Sequence, residues 1–391
     1  MARTADVVII GGGVTGVSLA YHLALAGITR VAVLERRFLG AGGTGRSVGI
    51  IRQLYPIPEA SRLVLRSLRV FQQFRELVGG EAGYVGCGAL IGISEGMLPA
   101  LQKSMEIQRA VGIRAELLAP EDAHRIEPRI DPEGLGGLVY EPESGYADPT
   151  GVTLGYAAAA RAQGVMIEQG SEVTGIRVAG DRVVGVTTAR GESVDAPVVV
   201  NAAGLWAPAV AGLAHVDLPM MVGRHPVFLV KRPASFGSPH LVYLDLAGGT
   251  YARPETGDLT LTGSLTEDES RHPMDPELLG SEVGFEEAAL ALERTSRALP
   301  LLSDGQYQRG YAGAFDITPD WMPILDESPL RGFYIAAGMS GHGFKLAPAV
   351  GELVAQLLAE GRTTISREPF RLDRFRVVGA PVGAFVSSYL R

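Results

Sequence analysis

The feature that most constrains how this chain can fold is a glycine-rich turn near its start. An apolar segment, Val7–Ile10, leads into the turn and predicts a buried parallel strand. The alanine- and leucine-rich segment Val14–Ala26 follows and predicts a helix that stops at Gly27. Val31–Leu34 then predicts a second buried strand. The order strand, turn, helix, strand is that of a βαβ unit, so the chain is expected to contain a parallel sheet.

The turn carries the spacing G-x-G-x-x-G at Gly11, Gly13 and Gly16. In this motif the first glycine makes a tight turn, the second lets the backbone approach a pyrophosphate, and the third lets helix and strand pack closely. The free N–H groups and the dipole of the helix N-terminus favour phosphate. Glu35 lies 19 residues after Gly16, where the motif expects an acid that bonds ribose hydroxyls. The sequence therefore predicts a bound dinucleotide, NAD or FAD, while a carboxylate at Glu35 disfavours NADP.

Composition limits the other possibilities. The chain has 391 residues, of which 46% are hydrophobic, and this predicts two domains with substantial cores. A formal net charge of −8 gives no general attraction for nucleic acid or an anionic membrane. Cys87 is the only cysteine, so an intrachain disulfide is excluded, no metal site is expected, and a cytoplasmic location is predicted. The uncharged stretch Val7–Thr29 is broken by three glycines, and no membrane span is expected.

The order of segments predicts an α/β fold of two domains. One is a Rossmann-like dinucleotide-binding domain, and the other is a discontinuous domain built on a mixed, mainly antiparallel sheet. Ser61–Val78 and Pro348–Ala359 are predicted helices, Leu259–Leu261 is a predicted strand of the second domain, and Phe333–Ala337 is the last buried strand. The predicted boundaries are residues 1–85, 146–217 and 321–365 for the first domain, residues 86–145 and 218–320 for the second, and residues 366–391 for a C-terminal tail.

Four further segments carry a resemblance to a known family. They are Gly40–Arg52, Glu172–Gly175, Val200–Trp206 and the glycine loop Ala337–Lys345. Together they resemble the D-amino-acid-oxidase-type FAD-dependent oxidoreductases, in the branch of sarcosine oxidase, glycine oxidase and dimethylglycine dehydrogenase. The last segment is similar to the loop that covers the flavin ring in sarcosine oxidases. The resemblance implies that the dinucleotide is FAD, bound by the first domain, and that the second domain binds the substrate.

The resemblance also assigns cofactor-binding residues. In similar proteins the loop that matches Gly40–Arg52 lines the pyrophosphate and the flavin, and Val173 contacts adenine through its backbone. Monomeric sarcosine oxidases carry a flavin-linking cysteine where this chain has Gly313, so FAD is expected to be noncovalent. The residues expected to bind FAD are Gly11, Gly13, Val14, Thr15, Gly16, Glu35, Arg36, Gly43, Thr44, Gly45, Arg46, Ser47, Val173, Ala202, Ala203, Gly204, Trp206, Gly313, Gly338, Met339, Gly341, Gly343, Phe344 and Lys345.

A substrate site is implied as well. In the resembling enzymes the residues that match Arg52 and Lys345 hold the substrate carboxylate beside the flavin, where an arginine fork and a lysine charge suit a carboxylate. The implied reaction is hydride transfer from the carbon next to the neutral amine of a small amino acid or N-substituted glycine, and the imine formed then hydrolyses. His342 is expected to tune charge at this site, and Tyr251 and Arg253 are expected to supply polar groups.

The sequence departs from the family at positions that bear on the substrate and the electron acceptor. A family tyrosine corresponds to Phe315 and a second family arginine to Gly49, which predicts room for a larger or more apolar N-substituent. The oxygen-activating lysine of those oxidases has no counterpart around residues 245–260. The histidine that bears FMN in heterotetrameric sarcosine oxidases has none near Asp148–Thr153. The acceptor is therefore left open between oxygen and an electron-accepting partner.

Three alternatives stay open at this level. One is a flavin dehydrogenase subunit, similar to proline or dimethylglycine dehydrogenases, that passes electrons to a partner. A second is a noncatalytic flavin-binding subunit that scaffolds a complex, for which no substrate carboxylate would be held. A third is an NAD-dependent dehydrogenase, because NAD and FAD share the glycine motif.

Overall fold

The computed structural model describes residues 3–266, 269 and 272–376, and the strands among them form four sheets. The strands are β1 (Arg3–Thr4), β2 (Val7–Ile10), β3 (Val31–Glu35), β4 (Ile50–Ile51), β5 (Ala89–Ile93), β6 (Glu116–Leu118), β7 (Gly137–Glu141), β8 (Gly145–Tyr146), β9 (Met166–Gln169), β10 (Val173–Ala179), β11 (Arg182–Thr188), β12 (Ser193–Asp195), β13 (Val198–Asn201), β14 (Met221–Lys231), β15 (Val242–Asp245), β16 (Thr250–Glu255), β17 (Leu259–Ser264), β18 (Gln306–Ile317), β19 (Ile324–Glu327) and β20 (Phe333–Ala337). The helices are α1 (Val14–Leu25), α2 (Pro58–Gln72), α3 (Phe74–Leu77), α4 (Leu98–Val111), α5 (Ala123–Ile126), α6 (Pro149–Ala162), α7 (Ala207–Gly212), α8 (Phe285–Ala298) and α9 (Gly343–Glu360).

A six-stranded sheet in the order β19-β20-β13-β2-β3-β9 contains the predicted βαβ unit. Its neighbouring strands run parallel except for β19 and β20. Strand β2 is buried throughout, which explains its unbroken run of Val and Ile. Ile10 pairs with Leu34 on β3 and with Asn201 on β13, so these three strands end together. The glycine turn leaves the sheet at this shared edge.

Helices α1, α2, α6 and α9 pack on one face of this sheet. The sequence predicted that the last of them begins at Pro348, but α9 begins at Gly343 and contains Pro348 in its interior. Proline is most common in the first turn of a helix, which is why the prediction placed the start too late. Close packing against α1 fixes this part of α9, since a Cβ at Gly351 would lie 2.3 Å from Ser18 Oγ. The predicted helix Ser61–Val78 is likewise two pieces, α2 and α3.

The second large sheet has eight strands in the order β18-β14-β17-β16-β15-β5-β7-β6. Its neighbours are antiparallel except for the parallel pair β15 and β5, which confirms a mixed, mainly antiparallel sheet. The end of β18 is tied to the loop after β20, because Ser340 N–H donates to the Asp316 carbonyl oxygen at 3.0 Å. Thr318 N–H in turn donates to Ser340 Oγ at 3.1 Å. These bonds bring the two large sheets to one place.

The glycine turn gives a stability prediction. Gly11 has a φ of +113°, and a Cβ there would lie 2.5 Å from the carbonyl oxygen of Ala202. We expect Gly11→Ala to lower the free energy of unfolding of the apoprotein by about 2–4 kcal/mol, because both the backbone conformation and the backbone contact are penalised. Denaturant unfolding measures the loss. Gly96→Ala is the control, since a Cβ there meets no atom within 4 Å, and equal stability of the two variants would contradict this reading.

Candidate active site

A cavity of about 510 Å³ is lined by both large sheets. From the six-stranded sheet its wall takes residues at the carboxyl ends of β2 and β3, such as Ile10 and Glu35. From the eight-stranded sheet it takes Leu244, Tyr251 and Phe315. The cavity therefore joins the predicted dinucleotide motif to the predicted substrate region. We call these two parts the motif end and the substrate end.

At the motif end, close backbone packing aims the N-terminus of α1 into the cavity. A Cβ at Gly16 would lie 2.0 Å from the Gly11 carbonyl oxygen, so only glycine lets the helix start this near the strand. Val14 and Thr15 of the first helical turn line the cavity, and Val14 N–H donates to Thr44 Oγ1 at 3.2 Å. A helix N-terminus offers N–H donors and a positive dipole end to an anion. This arrangement fits a pyrophosphate.

Glu35 stands at the end of β3 with both carboxylate oxygens fixed by the backbone. Gly12 N–H donates to Oε2 and Arg37 N–H donates to Oε1, each at 2.7 Å. A carboxylate can accept more than two hydrogen bonds, so Glu35 keeps acceptor capacity toward the cavity that it lines. Arg36 lies beside it, with its guanidinium carbon 4.5 Å from the centre of the Trp206 ring. The motif end thus has a carboxylate, Glu35, that can accept hydrogen bonds from ribose hydroxyls. Beside it, the Arg36 guanidinium is stacked on the Trp206 indole.

The substrate end holds two buried cations in its wall. Arg52 is 1% exposed and Lys345 is 7% exposed, and both line the cavity. Lys345 Nζ donates to the Gly341 carbonyl oxygen at 3.2 Å. Burial and the nearby Arg52 guanidinium hold the pKa of Lys345 well below its ordinary value. Lys345 also belongs to the first turn of α9, whose N-terminus faces the same space. This end favours an anionic group.

His342 lies behind Arg52 and outside the cavity wall. Its Nδ1 is 3.3 Å from Arg52 Nη2. Because a guanidinium can only donate, Nδ1 accepts this bond, which places the single proton of the ring on Nε2. Burial, Lys345 and Arg52 hold the pKa of His342 well below its ordinary value. His342 therefore contacts Arg52 and does not line the cavity, and its expected role in tuning charge at this site stays a prediction.

An aromatic stack forms another part of the wall at the substrate end. The His225 ring lies between Phe315, with a centroid distance of 4.1 Å, and Tyr251, at 5.9 Å. Tyr251 Oη is 3.4 Å from His225 Nε2. Burial lowers the pKa of His225 to about 4, so the ring is neutral at neutral pH. With Leu244 and Leu265 also in the wall, this side of the cavity is aromatic and apolar.

Asp316 adds a buried carboxyl group to the wall. Its Oδ2 accepts a hydrogen bond from Met339 N–H at 3.0 Å, which fixes the glycine loop before α9. Burial raises the pKa of Asp316 to about 6.

Neither His225 nor Asp316 was predicted as a site residue from the sequence. The one signal was rarity, because the chain has only seven histidines.

Most of the predicted residues meet at this cavity. Arg253 does not line it, since its side chain bonds Glu255 Oε2 at 2.8 Å and stacks on Tyr146. Gly49 is also off the wall, and its φ of +69° belongs to a turn against Ala147. The predicted site residues that do lie in the wall are Gly11, Gly13, Val14, Thr15, Glu35, Arg36, Gly43, Thr44, Arg46, Ser47, Arg52, Val173, Ala202, Ala203, Gly204, Trp206, Tyr251, Gly313, Met339, Gly341, Gly343, Phe344 and Lys345.

Three predicted glycines act through conformation and do not line the wall. Gly16 permits the contact with Gly11 described above. Gly45 N–H bonds the Gly40 carbonyl oxygen at 2.9 Å, and a Cβ at Gly45 would lie 2.6 Å from that oxygen. Gly338 has a φ of +71°, and a Cβ there would lie 2.5 Å from Thr318. They shape the loops whose neighbouring residues reach the cavity.

The cavity as a whole fits FAD. It offers a helix N-terminus for a pyrophosphate, a carboxylate for ribose hydroxyls and an aromatic and apolar end for a ring system. Gly313 lines the cavity where a linking cysteine stands in monomeric sarcosine oxidases, and Cys87 does not line it. Among the described residues no helix is both long enough and apolar enough to cross a bilayer.

Comparison with known proteins gives a consistent picture. The family described as FAD dependent oxidoreductase (DAO) matches residues 6–357. The chain is 30% identical over 390 residues to mitochondrial sarcosine dehydrogenase of Homo sapiens, and the alignment covers 96% of this chain and 42% of that protein. It is 31% identical over 384 residues to sarcosine oxidase subunit beta of Rhizobium meliloti, and this alignment covers 95% of this chain and 88% of that protein. In structure it is similar to L-proline dehydrogenase from P. horikoshii, with a TM-score of 0.87 and 27% sequence identity. The superposition covers 96% of this chain and 99% of that chain.

These matches bear on the choice that the glycine motif left open between NAD and FAD. The matched family uses FAD, and the match extends over both the glycine turn and the loop before α9. The chain spans less than half the length of the human relative, so that protein has parts with no counterpart here. The NAD-dependent alternative is therefore set aside, and the chain belongs to the DAO family of FAD-dependent oxidoreductases.

Proposed function

We propose that this chain oxidises the carbon–nitrogen bond of a small amino acid or N-substituted glycine that carries a free carboxylate. The observation that carries the proposal is the pair of buried cations, Arg52 and Lys345, in the wall of the FAD cavity. An arginine fork and a lysine ammonium in one cavity wall suit a carboxylate, which can accept hydrogen bonds from both. Relatives named for sarcosine and for L-proline support the same substrate class.

The residues of the chain orient such a substrate. FAD, when bound, accepts a hydride from the carbon next to the neutral amine. The Arg52 fork binds the carboxylate through two hydrogen bonds, and the Lys345 ammonium adds a compact charge. His342 holds the guanidinium from behind, so Arg52 is oriented before the substrate arrives. Leu244 and Leu265 keep water away from the reacting carbon. The imine product then hydrolyses.

The aromatic and apolar wall supports a substrate with a larger N-substituent. Phe315 lines the cavity and stacks on His225, where the family tyrosine would add a hydroxyl group. Gly49 is off the wall, so it does not create the extra room. Ile50, Leu244 and Leu265 supply the apolar contacts instead. We expect N-ethyl- or N-propylglycine to be oxidised faster than sarcosine, and comparable turnover of all three would count against this part of the proposal.

A dehydrogenase that passes electrons to a partner is the second candidate. The similarity to L-proline dehydrogenase favours it, as does the lack of any lysine in residues 245–260. Rapid hydrogen peroxide formation by the purified chain would favour oxygen as acceptor. Faster turnover with an artificial dye than with oxygen would favour a partner. A cytoplasmic location, consistent with a single cysteine, is part of the proposal.

The substrate class is tested by anaerobic bleaching of the visible flavin absorbance with primary, N-methyl and N-alkyl amino acids. We expect Arg52→Gln and Lys345→Met each to lower the second-order rate constant of bleaching by about 10²-fold, because hydrogen bonds to charged groups contribute about 1.5–3 kcal/mol. Lys103→Met is the control, since Lys103 is exposed on α4. Bleaching at the same rate in all variants would contradict the role of Arg52 and Lys345, and bleaching that is absent with every amino acid in the wild type would favour a noncatalytic flavin-binding subunit.

The lowered pKa of Lys345 predicts how ligand binding depends on pH. A bound carboxylate favours the charged ammonium, so acetate should bind tightly below the pKa of Lys345 in the free protein. Binding should weaken as the pH rises through that pKa, since the ammonium loses its proton. The dissociation constant is measured across pH from the change that acetate makes in the flavin spectrum, and acetate carries no amine that could titrate.

Lys345→Met separates this effect from other titrations. Asp316 also lines the cavity, and ionisation of its carboxyl group near its pKa of about 6 should cause a separate change in acetate affinity at acid pH. Lys345→Met should abolish the change in acetate affinity at alkaline pH and keep the change at acid pH. A change at alkaline pH that persists in Lys345→Met would show that another group controls the binding of the carboxylate.

A further inference from the structure

A segment of the eight-stranded sheet region reaches over to the motif end of the cavity. Residues 272–281, which we call the strap, are held along the edge of β14 and β18 by backbone hydrogen bonds. Arg224 N–H donates to the His272 carbonyl oxygen at 2.8 Å, and Met274 N–H donates to that of Val222 at 3.0 Å. Gly280 N–H donates to the Ala312 carbonyl oxygen at 2.8 Å. The strap is therefore a fixed part of the fold.

Glu277 of the strap joins three residues that line the cavity. Its Oε1 accepts hydrogen bonds from Arg36 Nη1 at 2.8 Å and from Trp206 Nε1 at 2.7 Å. Its Oε2 accepts from Arg37 Nη2 at 3.1 Å. All three donors belong to the cavity wall. The same carboxylate therefore holds the Arg36 guanidinium and the Trp206 indole in their stacked arrangement, 4.5 Å from guanidinium carbon to ring centre.

A second contact of the strap involves Arg46, another wall residue. Gly280 has a φ of +85°, and a Cβ there would lie 3.2 Å from both Arg46 Nε and Arg46 Nη2. The Arg46 guanidinium thus packs directly on the strap backbone, and its Nη1 donates to the Ala41 carbonyl oxygen. Two separate points of the strap therefore touch cationic side chains around the motif end.

We propose that the strap completes the FAD site at its adenosine end, with Glu277 as the residue that holds Arg36 and Trp206 closed beside the cofactor. Glu35, at the end of β3, marks where the ribose of a dinucleotide binds in this fold, and Arg36 follows it directly. The pairing of Glu277 with three donors keeps these side chains from opening to solvent. The strap therefore slows the release of FAD through contacts at its adenosine half. The flavin half of FAD is bound by other residues of the cavity.

The expected size of the effect is modest, because the partners are partly exposed. The side chains of Arg36, Arg37 and Glu277 are 28%, 53% and 46% exposed. Single surface ion pairs contribute little, whereas several groups on one carboxylate form a network that contributes more. Salt screens such contacts. We therefore expect removal of the Glu277 charge to accelerate FAD release by about threefold to tenfold at low salt.

The test measures FAD release from the holoprotein by the recovery of flavin fluorescence after dilution. Glu277→Gln should release FAD faster than the wild type, whereas Glu282→Gln should not. Glu282 is exposed in the same part of the chain and its substitution removes the same charge. Added salt should accelerate release from the wild type and have little effect on Glu277→Gln. Trp206→Phe, which keeps an aromatic ring but lacks the indole donor, should show part of the same acceleration.

A competing explanation is a general loss of folding or of charge balance, and FMN separates it from the proposal. The apoprotein of each variant is titrated with FMN, which lacks the adenosine half. Glu277→Gln should weaken FAD binding and leave FMN binding unchanged. Equal release rates for the wild type and Glu277→Gln, or an equal loss of FAD and FMN affinity, would overturn the proposal.

Discussion

The contact between the glycine turn and the end of β13 is the constraint on which the rest of the site depends. Gly11 has a backbone conformation that a side chain rarely adopts, and its Cα lies where a Cβ would strike the Ala202 carbonyl oxygen. This closeness lets α1 start at the ends of three parallel strands at once. It places the N–H groups at the start of α1, the carboxylate of Glu35 and the segment that leads to Trp206. A bulkier turn would separate them.

The second requirement is a place where the two large sheets meet. Hydrogen bonds between the end of β18 and the loop before α9 tie Asp316, Ser340 and Met339 together. They position the first turn of α9, so that Lys345 lines the same cavity as the aromatic stack of the eight-stranded sheet. Arg52 and Lys345 are then buried in the cavity wall, at the same end as the aromatic and apolar side chains Phe315, Leu244 and Leu265. Burial and Arg52 lower the pKa of Lys345, and a bound carboxylate opposes this effect because it pairs with the ammonium form.

Local patterns in the sequence were enough to predict the motif end. A strand, a glycine turn, a helix and an acid at the end of the next strand are close together along the chain, and their spacing alone constrains the geometry. The family resemblance added Arg52 and Lys345 to the candidate substrate site. The predicted start of the last helix was wrong, because Pro348 is tolerated inside a helix that packs tightly on α1.

Other parts of the site depend on contacts between distant segments, which no local pattern specifies. His225 meets Phe315 because β14 pairs with β18 in one particular register, with His225 opposite Gly313. Glu277 reaches Arg36 because a strap from the second sheet crosses to the first. Arg253 is a residue that was predicted at the site but does not line the cavity. It lies on the same strand as Tyr251, two residues further along β16, and its side chain bonds Glu255.

The most direct test of the central claim compares an N-alkyl glycine with its own carboxamide, which has nearly the same shape but no negative charge. Both are mixed anaerobically with the FAD-loaded wild-type protein, and the loss of visible flavin absorbance is followed. If Arg52 and Lys345 hold a substrate carboxylate, the acid should bleach the flavin about 10²-fold faster than the amide at equal low concentration. Equal rates for the acid and the amide would contradict the claim that the buried cations select the substrate.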